Sequence, residues 1–140
     1  LNPPRGKRLT DAMMDQGADV MFAISNGGVV ETAAARGGLA FGRLINQQPQ
    51  YPNTVVASAM WHVEPVVQTV LAQVRAGQFK AQDFAPLSLM KAKGASLSPL
   101  GSFERKVPPD LLKRVRAKEA DILSGRFQVP YNVALEFSFF

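Results

Sequence analysis

Apolar residues recur along the chain in two patterns, the three-to-four-residue step of a helix face and the short unbroken run of a buried strand, with glycine and proline between them. Leu9, Ala12 and Met13 predict a helix over 6–16, and Gly17 is its stop. The run ADVMFA at 18–23 predicts a buried strand that leads into Ser25-Asn26-Gly27-Gly28. A helix over 29–36 closed by Gly37-Gly38 follows, then a strand over 39–42. Residues 43–53, with Asn, Gln, two prolines and Tyr51, predict a loop, and TVVASA at 54–59 a third strand.

Within 62–76, Val63, Val66, Val67, Val70, Leu71 and Val74 repeat with the strongest helical period in the chain, up to Gly77. A linker with Phe79 and Phe84 precedes an expected strand over 87–91 and an irregular stretch over 94–101. Pro108-Pro109 then opens a charged helix over 110–124, stopped by Gly125. Tyr131, Val133, Leu135, Phe137 and Phe139 alternate with smaller or polar residues, the period of a half-buried strand and, left exposed, an adhesive edge. Short connections between alternating strands and helices predict an α/β fold, a mainly parallel sheet flanked by helices. Ligands of such sheets sit where strand-to-helix loops converge, which singles out 25–28, 43–53 and 60–62.

Composition narrows the chemistry. A chain of 140 residues, 46% of them hydrophobic, forms one compact domain that removes roughly 65 to 70% of its unfolded surface from water. It has no cysteine, which excludes thiol catalysis, zinc knuckles and iron-sulfur clusters and leaves the redox compartment open. No apolar run reaches the roughly 18 residues a membrane helix needs. Because the sequence opens on Leu1, residues upstream are expected to be missing. The net charge of +5 raises the possibility of a nucleic-acid partner. The positives Arg105, Lys106, Lys113, Arg114, Arg116 and Lys118 are, however, interleaved with Asp110, Glu119 and Asp121 and lack alternating aromatics, so a solvated helix face is expected and no nucleic acid.

Ser25-Asn26-Gly27-Gly28 lacks both the phosphate-loop and the nucleophile-elbow pattern, and reads either as a helix cap or as a holder of a polar group. His62 is the only histidine, so a histidine metal cluster is impossible and a catalytic triad would have to use this one ring. The 11 carboxylates include no pair spaced for acid/base work. No catalytic residue, metal or cofactor is therefore expected, and the chain is not expected to be an enzyme. Met13 and Met14 are expected in the core. Trp61, straight after a strand, offers either a stacking surface for a flat ligand or a packing ring.

Taken together, residues 1 to about 130 resemble the basic membrane protein family of substrate-binding lipoproteins, which includes purine nucleoside receptors of bacterial ABC transporters. Asn2-Pro3-Pro4-Arg5-Gly6-Lys7 looks like the family's Asp-Pro-Ala-Lys-Gly-Lys, and residues 15–22 match its Gln-Gly-Ala-Asp-Val-Ile-Phe strand. Residues 94–101 look like its Gly-x-x-x-Leu-Ala-Pro-Leu turn, with Val107-Pro108 and Val129-Pro130 completing the order.

The resemblance implies a lobe of a type I periplasmic-binding-protein fold, whose two lobes close on a purine nucleoside or base and hand it to permease subunits without making or breaking a bond. It implies a location in the periplasm or anchored on the outer face of the cytoplasmic membrane, with signal and lipid anchor outside this chain. Family members use one aromatic from each lobe around the base and an Asp and a Lys around the ribose. Here Asn46-Gln47 stands for the family's Asp-Gln, and Trp61 for its Lys. Losing both charges weakens the hold on a sugar and favours a base such as adenine over a nucleoside. Ser25, Asn26 and Gly27 align with a loop that supplies polar ligand contacts. A family member is about twice this long, so the chain is expected to be the C-terminal-lobe portion of a receptor over 1–130, lacking the first lobe or self-associating in its place, with 131–140 outside the pattern. Two other classes compete: a small α/β enzyme acting on a nucleoside-like ligand, and a basic interaction module.

Overall fold

The computed structural model describes residues 2–22 and 27–129. The expected strand over 131–139 lies outside them. Helix α1 spans Pro3–Asp15, three residues ahead of its expected start. Its two prolines begin the helix rather than block it, because the first turn has no intrahelical use for their missing N–H groups. The Asn2 side chain caps it by accepting from the Arg5 backbone N–H at 3.1 Å. Gly17, at φ +94°, turns the chain into β1, Val20–Phe22. Helix α2 covers Val29–Ala35, and strands β2 and β3 cover Leu39–Leu44 and Val55–Trp61.

The sheet runs β1-β2-β3-β4, with the first three strands parallel and β4, Ala95–Leu97, antiparallel to β3. The α/β class and the mainly parallel sheet are thus as the alternation of elements predicts. Helices α1 and α2 pack side by side on one face. Arg36 at the end of α2 ties them: its guanidinium lies 2.7 Å from Asp15 and donates to the Asp11 carbonyl at 3.0 Å. Between them and the sheet lie Met21, Val30, Ala33, Ala40 and Val55, with Met14 packed against this core. Met13, expected beside Met14, is instead 53% exposed, because α1 turns that flank away from the sheet.

Two elements differ from expectation. Residues 87–91 form no strand: Pro86 and its neighbours make a 3-10 turn over Ala85–Ser88, and a second covers Met90–Ala92. A Cβ at Gly94 would collide with the Leu87 carbonyl, so this segment is folded back on itself and cannot extend. The strand is Ala95–Leu97, inside the stretch whose Gly, Ser and Pro content predicts irregular chain. Strands β2 and β3 also run two residues past their expected ends, so Arg43, Leu44, Met60 and Trp61 belong to the sheet.

Helix α3, Glu64–Arg75, forms where the period places it, yet none of its residues is buried. Its contacts are with the 3-10 turn at Ala85–Ser88, and the outer row Val63, Val67, Leu71 and Val74 is open to solvent. Helix α4, Pro109–Ser124, ends at Gly125 with φ +78° and packs against the 3-10 turn at Met90–Ala92. Its charges face solvent, as expected, with Arg116 paired to Glu104.

Candidate ligand site at the strand ends

The parallel strands deliver their last residues to one edge of the sheet. In register, Gly42 faces Ser58, Arg43 faces Ala59 and Leu44 faces Met60, while Trp61 pairs with Ala95 of β4. Side chains alternate along a strand, so Arg43, Ala59 and Trp61 share one face. Ala59 is too small to form a wall, and the Arg43 guanidinium reaches across it to lie 5.2 Å from the centre of the Trp61 ring. That ring is 60% exposed. A large aromatic left this open at the carboxyl ends of parallel strands is a surface on which a flat molecule can stack.

Beyond Arg43 the backbone turns sharply. Leu44 has φ +74°, a left-handed conformation costly for a branched side chain, and Ile45 beside it is 64% exposed. The turn sends Asn46 and Gln47 back over the sheet end. The Asn46 Oδ1 accepts from the Gln48 N–H at 3.1 Å, closing a local side-chain turn. Gln47 is buried: its N–H donates to Ser58 Oγ at 3.3 Å, and its Oε1 accepts from the Arg43 N–H at 3.4 Å. Asn46 therefore sits half-exposed beside the strand ends, while Gln47 works inward and fixes the loop that holds Arg43 and Asn46.

Gly27 is buried against α1, where a Cβ would come 3.1 Å from the Pro3 Cα. Gly28, at φ +80°, caps α2, and its carbonyl accepts from Thr32 Oγ1 at 2.5 Å. Ser25 and Asn26 lie outside the described residues, so the structure brings together Asn46, Gln47 and Trp61 from the sequence-derived set and leaves Gly27 at the foot of α2.

Sequence reasoning missed Arg43, because Gly42 reads as a strand end and hides the basic residue one position later in the same strand. It also missed what His62 does. Its Nε2 lies 2.7 Å from Ser96 Oγ and its backbone N–H donates to the Gly94 carbonyl at 2.9 Å. A serine within reach of a histidine is the first requirement of a nucleophile. No carboxylate hydrogen-bonds to His62 among the described residues, so the orienting third member of a triad is not in place there. A second pair of serines anchors the far side: Ser98 Oγ accepts from the Ser58 N–H at 2.8 Å, and the Ser98 N–H donates to the Ser58 carbonyl at 2.9 Å. No group of histidine and carboxylate side chains suited to a metal ion occurs among the described residues.

Two larger clefts lie away from the strand ends. One, of about 470 Å³, runs between α1 and β1 past Leu9, Met13 and Phe22. The other, of about 650 Å³, lies between α4 and β4 past Leu97, Leu111 and Val115. Both are predominantly apolar gaps beside edge strands, without the convergent polar groups that orient a small ligand.

No family model matches the sequence, and no curated protein does. Solved structures do share its fold. A solute-binding protein of an ABC transporter system from Aeropyrum pernix K1 is similar over 98% of this chain and 47% of its own, with a TM-score of 0.68 at 21% identity. One from Conexibacter woesei DSM 14684 is similar over 89% of this chain and 41% of its own, with a TM-score of 0.56 at 24% identity. A transcriptional activator of the comK gene from Bacillus halodurans matches 89% of this chain and 43% of its own, with a TM-score of 0.66 at 21% identity. At these identities the likeness is one of fold, the α/β architecture of solute-binding proteins. The chain spans less than half the length of each of these structures.

Proposed function

We propose that these 140 residues act as a ligand-holding lobe of a solute receptor for an ABC importer, with a purine base or nucleoside as the solute. The observation that carries this reading is the exposed Trp61 ring at the carboxyl ends of the parallel strands, on a fold shared with solute-binding proteins. Stacking on that ring supplies the affinity for a flat base. Asn46 offers an amide at its rim, and Gly27 with Ser25 and Asn26 forms the loop on the neighbouring strand-to-helix connection. Gln47 is a positioning residue, holding Asn46 and Arg43 through Ser58. No bond is made or broken in this role, so the chain works by binding alone. A second lobe supplies the opposite wall, permease subunits receive the ligand, and the receptor works on the outer face of the cytoplasmic membrane.

The likeness to the comK activator favours a second reading, in which the same lobe binds its ligand to signal rather than to transport. The two readings share the site and differ in the partner. Calorimetric titration of the chain with adenine, hypoxanthine, adenosine, free ribose and an amino-acid mixture tests the site. Heat from the purines alone is expected. Binding of ribose or amino acids with no response to any purine overturns the purine assignment. Capture of permease subunits by the ligand-loaded receptor in membrane extracts separates transport from signalling.

A further inference from the structure

The purine-binding reading leaves open which edge of the ring is recognised, and the residue placed to read it is Arg43. Its guanidinium lies 5.2 Å from the centre of the Trp61 ring. It is carried on β2 next to the turn at Leu44, with its own backbone N–H fixed to Gln47. The stem is therefore anchored while the head rests on the surface a ligand must occupy. A flat molecule stacking on this face of Trp61 displaces the head sideways, to the perimeter of the new ring. There a guanidinium offers only donors, in a planar fork that matches two adjacent acceptors.

We propose that Arg43 is a specificity-determining residue that selects purines with an acceptor-bearing edge, the 6-oxopurines, over 6-aminopurines; this rests on the assignment of Trp61 as the stacking ring. A 6-oxopurine such as hypoxanthine presents O6 and N7 side by side, the pair of acceptors an arginine fork meets in bidentate fashion. Adenine presents N7 beside an amino group, and that group is a donor facing donors. Adenine, favoured from sequence because the sugar-binding charges are missing, thus becomes the weaker of the two bases once Arg43 is placed beside the ring.

The ratio of the two affinities separates this role from a packing one. Hypoxanthine and adenine present nearly the same ring area to Trp61, so an Arg43 that merely steadied the indole would move both affinities together. Trp61 is the only tryptophan, and its fluorescence reports binding without interference from another indole. Hypoxanthine and adenine are titrated against the 140-residue chain and against Arg43→Met and Arg43→Lys, with melting curves to establish that each variant folds. The original chain is expected to prefer hypoxanthine by about tenfold or more. Arg43→Met is expected to bring the ratio to about one with little change for adenine, and Arg43→Lys to restore part of the preference. If adenine is preferred, or if Arg43→Met leaves the ratio unchanged, Arg43 does not select the ligand although Trp61 still binds it. If neither purine alters the fluorescence or produces heat, the purine assignment and the role of Arg43 fall together. Should Arg43→Met fail to fold, the ratio in Arg43→Lys alone decides: unchanged, it overturns the bidentate role.

Discussion

Gly42 stands opposite Ser58 in the parallel register, and the serine hydroxyl and the Gln47 Oε1 together occupy the space a side chain at Gly42 would need. The built Cβ would lie 2.7 Å from that Gln47 oxygen, inside any tolerable contact. The glycine is required by this close approach rather than by backbone freedom. It lets Gln47 fold under the sheet end and hold the loop that carries Asn46. Gly42→Ala is expected to destabilise the fold by about 1 to 3 kcal/mol, the scale of overpacking a closed site, and to weaken purine binding because the loop is displaced. Urea unfolding and calorimetry measure both. An unfolding midpoint and dissociation constant equal to those of the original chain would remove Gln47 from its positioning role.

The neutral pair Asn46 and Trp61 is expected to set the preference between base and nucleoside. Restoring charges with Asn46→Asp and Trp61→Lys supplies an acceptor and a donor for ribose hydroxyls, and hydrogen bonds to charged groups are about twice as strong as neutral ones. Adenosine should gain on adenine in the double variant. Equal preferences in both proteins would show that these two positions do not choose between sugar and base.

Asp11 joins the two helices, and its carboxyl is held below the ordinary aspartate range, first by the hydrogen bond from Lys7 and then by Arg36. A lowered folded value means stability that is present above the unfolded value of about 3.9 and lost as pH falls through the lower folded one. The pair is solvent-exposed, so the effect is small and sensitive to salt. Asp11→Asn is expected to flatten the acid limb of a stability-against-pH curve below about pH 4 and to leave the neutral region nearly unchanged. An acid limb identical in both proteins would show that Asp11 is as well solvated folded as unfolded.

The outer row of α3 bears on association. From Pro65 to Val74 the helix carries no charged residue, unlike α4, and Val67 and Leu71 are 48% and 46% exposed. An apolar row of this kind is uncommon on a surface that stays in water. The chain produced alone is expected to self-associate, and Val67→Glu with Leu71→Glu to reduce its mean mass in light scattering. Deletion of 131–140 is the parallel arm for the adhesive-edge expectation. A monodisperse monomer unaffected by either change would contradict both.

Much of the fold is legible in the sequence because its stops are local. Gly17 and Gly125 end α1 and α4 through positive φ values that any reading of turn chemistry anticipates. Apolar runs likewise announce β1, β2 and β3. What escaped depends on contacts between distant segments. Residues 95–97 become a strand only because Ser58 and His62 supply bonds at either end of the pairing, through Ser98 and Gly94. Residues 87–91 look extended, but Gly94 admits the backbone of Leu87 and Ser88 too closely for that. The same holds at the site. Trp61 is visible as an aromatic after a strand, whereas Arg43 becomes its neighbour only through the register that sets Arg43 against Ala59.

Stacking of a base on Trp61 is the central claim, and proton NMR of that single indole tests it most directly. A purine lying on the ring shifts the Trp61 ring protons upfield, saturably, and to the same dissociation constant that calorimetry returns. The expected result is such a shift for hypoxanthine and, more weakly, for adenine, with both lost in Trp61→Ala although its melting curve shows a folded protein. Purine-induced shifts confined to other residues, with the Trp61 indole unmoved at saturation, would contradict it.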